Sequence, residues 1–232
     1  MALSRHRIMA WPTLALLAAT AVTGCQSAPA AANKPTAPAP SASPSSGRGC
    51  PTTHVSDQRM GLTTPPVGVS WQMFRTVAVP TSPTLGPKRT AGDVARCYAH
   101  NSAGALLAAL QIGTRIPLST QWIKVVKEQS YGEGRDGYVG ARARREAKES
   151  KHSSPKPGEM LQPAGFRFDS YSDQRAVISL AYRQAGGTLI QANTATVQWQ
   201  GGSSGDWRFE IPRSPGPFQK LGSLQGYTQW GP

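Results

Sequence analysis

Val177-Ile178-Ser179-Leu180-Ala181-Tyr182-Arg183 decides the fold. Ile178, Leu180 and Tyr182 alternate with Val177, Ser179, Ala181 and Arg183, the period of two that a strand with one buried face requires. The alternation begins upstream, where Phe166 and Phe168 interleave with Arg167 and Asp169, and continues through residues 189–199 and Trp207-Arg-Phe209-Glu-Ile211. Ser172-Asp173, Gly186-Gly187 and the glycine-rich residues 201–205 separate these runs, each a composition that reverses a chain. The spacing predicts a four-stranded antiparallel meander.

Upstream of it the period changes. Asn101-Ser102-Ala-Gly-Ala-Leu106-Leu107-Ala-Ala-Leu110-Gln-Ile112-Gly113 predicts a helix with Asn101 or Ser102 as its cap and Gly113 just past its end. Gly104 and the alanines leave a smooth face that a sheet can approach. A second helix is expected over residues 121–129, capped by Ser119-Thr120, with Leu118, Trp122, Val125 and Val126 on one stripe. A third is expected over 139–151, after a break at Gly132, Gly134 and Gly137. Its strip is Val139, Ala143 and Ala147, and Arg142–Glu146 and Arg145–Glu149 are i,i+4 partners. A first strand is predicted over 69–79 with Val69, Trp71 and Met73 inward, and Leu221, Leu224, Tyr227 and Trp230 of the tail are expected to pack back. Helices before a meander define an α+β fold, helices packed on one face of a curved antiparallel sheet. This order resembles the cystatin-like and nuclear-transport-factor-like class.

The first 24 residues carry a different message. Arg5-His6-Arg7 precedes an apolar run that ends in Val22-Thr23-Gly24-Cys25, the layout of a secretory signal. The run falls short of the ~20 apolar residues of a spanning helix and contains Pro12. Val22 to Cys25 resembles a bacterial lipobox. The resemblance implies cleavage before Cys25, a diacylglyceryl group on its thiol and a membrane-anchored, extracytoplasmic protein. Residues 25–49 are then the lipidated cysteine and an Ala/Pro/Ser-rich tether without a large apolar side chain. Such a segment reaches roughly 27 Å as a coil and roughly 75 Å as polyproline II. Residues 50–232 are expected to form a single domain. With Cys25 acylated, Cys50 and Cys97 remain; an even pair in an exported chain predicts one disulfide, against the alternative of two free thiols.

The chain carries a net charge of +13, and loss of Arg5 and Arg7 with the signal leaves +11. Exported basic domains face anionic lipid, wall polymer, nucleic acid or acidic protein. Arg142, Arg144, Arg145, Lys148 and Lys151 on the third helix are the candidate anion-binding residues, beside the plainer reading of a solvated face. No catalytic set is found. Gly132-Glu-Gly134-Arg-Asp-Gly137 follows a helix and carries two acids that repel a pyrophosphate. Gly201-Gly-Ser203-Ser-Gly205 precedes a strand, with no histidine downstream. Cys97-Tyr-Ala-His100 is too few ligands for a metal, so His100 reads as structural. Asp169 and Glu210 read as outward charges and Trp199 and Trp207 as core. Neither enzyme activity, metal nor cofactor is expected.

Trp71, Val79-Pro80-Thr-Ser82, Gly86-Pro87, Tyr98-Ala-His100-Asn-Ser-Ala-Gly104-Ala-Leu-Leu-Ala-Ala109 and Gly226-Tyr227-Thr-Gln-Trp230-Gly231 occur in this order. Together they resemble a family of uncharacterised actinobacterial exported proteins and lipoproteins, some associated with conjugative elements. Cys97 stands where that pattern has a small residue or glycine. The anchor, the long tether, the single domain and the lack of an active-site constellation point to a non-enzymatic accessory or assembly component of a cell-envelope system, with an envelope protein as partner, and the resemblance suggests DNA transfer as its setting. A binding module for wall polymer or DNA is the second class, and a small-molecule or hydrolytic pocket in the concavity of the sheet the third. Nothing in the sequence sets an oligomeric state.

Overall fold

The computed structural model describes residues 49–51, 61–148, 160–187 and 190–232. Among them the chain runs through β1 (Ser70–Phe74), β2 (Val77–Thr81), β3 (Arg89–Ala91), β4 (Val94–Arg96), α1 (Ser102–Leu118), α2 (Trp122–Gln129), β5 (Ser130–Tyr131) and α3 (Arg135–Lys148). It continues through β6 (Leu161–Tyr171), β7 (Arg175–Gln184), β8 (Ile190–Gln200), β9 (Asp206–Glu210), β10 (Gln219–Leu221) and β11 (Thr228–Gln229). Among the described residues the fold is α+β, with mostly antiparallel sheets and no closed barrel.

The meander β6-β7-β8-β9 is the trunk of the main sheet, extended by antiparallel β11 beyond β6 and by parallel β5 beyond β9. β10 lies against the first residues of β8. Ser172 closes the β6–β7 turn as expected: its N–H donates to Arg175 O, and its hydroxyl accepts from the N–H groups of Gln174 and Arg175. Ala176, Ile178 and Leu180 of β7 and Ala195, Val197 and Trp199 of β8 point into the core, the alternation read from the sequence. α1 lies on this face.

α1 is buried along nearly its whole length, so it is a core helix rather than an amphipathic one. Asn101 caps it, its Oδ1 accepting from Gly104 N–H at 2.8 Å. A Cβ on Gly104 would stand 2.0 Å from Ala99 O. At Gly104, therefore, the missing side chain admits the chain's own return before the helix, while Ala105, Ala108 and Ala109 are buried in the core shared with the sheet. Gly113 does not end the helix as expected. It lies mid-helix under the Phe209 ring, 3.1 Å from where a Cβ would be, and the helix runs on to Leu118 with Pro117 in its last turn. Tertiary packing, not the local glycine signal, sets that terminus.

Three further expectations are corrected. Residues 69–79 are a hairpin rather than one strand: the chain reverses at Arg75, whose φ is 58°, and β1 pairs with β2. Met73, expected inward, is 65% exposed, while Trp71 meets Trp230 with ring centroids 4.7 Å apart. The third helix begins at Arg135 rather than after Gly137. Gly134 precedes it because a Cβ there would lie 2.1 Å from Pro212 O. Finally, Ala143 and Ala147 are exposed; the half-buried Tyr138 and Val139, the buried Arg142 and the half-buried Glu146 form the inner strip of α3.

Two amides, the buried Gln129 and the half-buried Gln162, stand in for missing strands. Gln129 accepts from Ala95 N–H and donates to Ala95 O; Gln162 accepts from Ala78 N–H and donates to Thr76 O. Gln129 satisfies both backbone groups of Ala95, and Gln162 satisfies one N–H in β2 and one C=O in the turn before it. Asp93 performs a related task between layers. It accepts from the Ser119 hydroxyl at 2.8 Å and pairs with Arg75 at 3.2 Å, and its backbone oxygen takes Arg115. Burial pushes the Asp93 carboxyl up, but Ser119, Arg75 and Arg115 together outweigh it and hold the group below the usual value of 3.8. A depressed folded pKa contributes stability that is present above the ordinary value and lost as pH falls through the folded one. Asp93→Asn is accordingly expected to cost about 1 kcal/mol at pH 7. The difference from the parent should close below about pH 4 in urea unfolding; a gap of the same size at both pH values contradicts this role.

Candidate functional site

Of the residues singled out in the sequence, Cys25 and Lys151 lie outside the described residues. The structure separates the others into two places, a disulfide corner and the third helix.

At the corner, Cys50 and Cys97 form the expected disulfide, with Cα atoms 5.2 Å apart. Both are buried. The Cys50 N–H donates to Ser204 O, so the start of the domain is fastened to the β8–β9 loop. Cys97 has φ of 70°, a left-handed conformation that a residue with a Cβ adopts at a cost of roughly 1–2 kcal/mol. The turn aims two consecutive N–H groups at one point, an arrangement that binds anions, and the point is occupied by Asp206. Its Oδ2 accepts from Cys97 N–H at 2.8 Å; its Oδ1 accepts from Tyr98 N–H and from Trp207 N–H, each at 3.0 Å. Burial pushes the Asp206 carboxyl above its ordinary pKa, opposed by the N–H donors of Cys97 and Tyr98 and by Arg96. The two sulfurs and this carboxylate lie within 4.8 Å of one another. Their donor atoms are already committed, the sulfurs to each other and the oxygens to backbone N–H groups, which makes the trio a structural corner.

His100 completes it from the other side. Its ring is stacked on Trp199 at 3.7 Å, its Nε2 is 2.6 Å from Asp173 O, and Trp207 Nε1–H donates to Ala99 O. The structural reading of His100 and the core reading of both tryptophans hold. Asp169 and Glu210 do not meet: Asp169 pairs with Arg167 and accepts from Ser179, whereas Glu210 pairs with Arg175 and accepts from the Tyr131 hydroxyl.

The third helix splits its basic residues. Arg142, grouped by sequence with the anion-binding face, is turned inward and buried. Its guanidinium donates to Ile116 O and Ser119 O at the end of α1, pairs with Glu146 at 2.9 Å and lies 4.5 Å over the Trp122 ring. It neutralises the carbonyl end of α1 and is not free for a ligand. Arg144, Arg145 and Lys148 are exposed and have no ion pair among the described residues. Of the predicted set, these three can meet an anion.

No helix among the described residues is long and apolar enough to cross a membrane. Among the described residues, the corner and the helix-on-sheet core define the class as an α+β domain with one disulfide. The match to known proteins is to a family model described as a domain of unknown function (DUF8175), over residues 30–229. The chain belongs to that family. No curated protein and no solved structure matches it.

Proposed function

We propose that this protein is a lipid-anchored extracytoplasmic lipoprotein, acting as a non-enzymatic accessory or assembly component of a cell-envelope system. The reading assigns residues 1–24 to a cleaved signal, Cys25 to the acylated amino terminus, residues up to 49 to a tether and residues 50–232 to the displayed domain. The observation that carries it is the buried Cys50–Cys97 disulfide, because such bonds persist where the environment is oxidising. The Val22 to Cys25 motif supplies the route out of the cytoplasm, and the likeness to exported proteins of conjugative elements suggests DNA transfer as the setting. The architectural likeness to cystatin-like and nuclear-transport-factor-like domains belongs to the same proposal and supports a binding rather than a chemical role. The direct test is genetic: deleting the gene in a conjugative host should lower transfer, and complementation with Cys25→Ala should fail to restore it although the protein is made. Unchanged transfer on deletion overturns the conjugative assignment.

A second reading has its own observation, the exposure of Arg144, Arg145 and Lys148, which have no ion pair among the described residues. On it the domain holds an anionic polymer, wall polymer or DNA, by charge. Reversing all three to glutamate is expected to weaken binding to duplex DNA or to teichoic-type polymer at least tenfold at low salt and to flatten the salt dependence. Binding that ignores both the reversal and the salt concentration contradicts it.

A further inference from the structure

Arginines from three separate elements converge where β9 forms the margin of the meander. Arg208 of β9 stands opposite Gln198 of β8, and Gln198 stands opposite Arg175 of β7, so these side chains share one face of the sheet. Arg175 has its charge met there by Glu210 at 3.1 Å. Arg208 has no such partner. It is half-buried, and its Nε is enclosed without a hydrogen bond. Its two terminal nitrogens are not enclosed and make no hydrogen bond or ion pair among the described residues. Arg135, the first residue of α3, is also half-buried with an enclosed, unpartnered Nε, and its Nη2 reaches only Lys127 O, at 3.4 Å. Arg96, the last residue of β4, has its Nε 3.9 Å from Asp206 Oδ2. It stands directly opposite Arg89 in the β3–β4 ladder, a pairing of like charges that costs stability.

The protein supplies little counter-charge here. Burial first, then Arg96 and Arg135, push the Arg208 guanidinium below its ordinary pKa, against the opposing pull of Asp206 and Glu128. Asp206 is shared between Arg96 and Arg208, and its oxygens already accept from three backbone N–H groups. Glu128 makes no ion pair among the described residues and stands beside Lys124 and Lys127 of its own helix. Three half-buried guanidinium groups held together in this way repel one another unless an anion joins them.

We propose that Arg208, Arg135 and Arg96 form a binding site for a phosphate group, either the free ion or a phosphate monoester. The guanidinium fork matches phosphate oxygens two at a time, and a tetrahedral dianion offers enough oxygens to meet several cations at once. The enclosed parts of the side chains hold the guanidinium groups in place, and the terminal nitrogens of Arg208 and Arg135 make the contacts. The site lies at the opposite end of α3 from Arg144, Arg145 and Lys148, so a phosphate bound here does not depend on a polymer bound there.

The test titrates the full chain, in non-ionic detergent micelles, with inorganic phosphate at constant ionic strength, and reads thermal unfolding. Phosphate also stabilises proteins generally by exclusion from their surface, an effect common to all variants that cancels between them. Arg208→Gln should need about tenfold more phosphate than the parent for the same rise in Tm. Arg135→Gln should show the same loss, which keeps the test decisive if Arg208→Gln does not fold. Lys220→Gln removes one exposed positive charge from β10 and should respond as the parent does. A parallel titration with glycerol phosphate separates the two sources. A rise in Tm at lower concentration than with inorganic phosphate supports an esterified phosphate, and a rise only at higher concentration supports the free ion. A parent that responds no more than Arg208→Gln and Arg135→Gln, or a Lys220→Gln variant that loses the response as fully as they do, overturns the proposal.

Discussion

Replacing both half-cystines, Cys50→Ser with Cys97→Ser, is expected to lower the unfolding free energy by about 4 kcal/mol. The bond spans 47 residues, and closing a loop of that size removes chain entropy from the unfolded state by this amount. For a domain of this size the loss corresponds to a fall of about 8–16 °C in Tm. Reductant added to the parent should reproduce the shift, which separates loss of the bond from loss of a packed sulfur. A companion variant sharpens the account. Cys97 sits at φ of 70°, where glycine is unstrained, so Cys50→Ser with Cys97→Gly should lose about 1 kcal/mol less than the serine pair. Unaltered thermal unfolding of the serine pair would mean that the Asp206 contacts alone hold the corner.

Asp206→Ala should cost as much or more, about 3–5 kcal/mol, the range for stripping one member from a buried charged network. Three N–H groups, those of Cys97, Tyr98 and Trp207, lose their acceptor together, and the left-handed turn at Cys97 loses the anion that stabilises it. Urea unfolding at neutral pH measures the loss; a value below 1 kcal/mol would show that water replaces the carboxylate. The two changes act on one turn and should not add. With the disulfide already absent, Asp206→Ala should cost measurably less than it does in the parent, and the shortfall is the coupling between bridge and carboxylate. Strict additivity would mean that the two fastenings are independent.

What was legible in the sequence is what local chemistry decides. The meander followed from the alternation through Phe166, Ile178, Leu180 and Tyr182, the cap of α1 from Asn101, and the disulfide from the two cysteines that remain once Cys25 is assigned to the lipobox. The errors lie where a distant residue decides. Gly113 looked like a helix end because nothing in its neighbourhood announces the Phe209 ring above it. Arg142 looked like a surface member of an i,i+4 pair, and the pair does form. The carbonyls at the end of α1, 26 residues earlier at Ile116, are what draw it inward. Asp206, Gln129 and Gln162 left no signal, since an acid or amide at a strand or helix margin is usually solvated.

The measurement that bears most directly on the central claim is the mass of the amino-terminal peptide of the protein purified from membranes. A peptide that begins at Cys25 and carries a thioether-linked diacylglyceryl group is the expected result. A peptide that still holds residues 1–24, with a bare thiol at Cys25, would contradict the account.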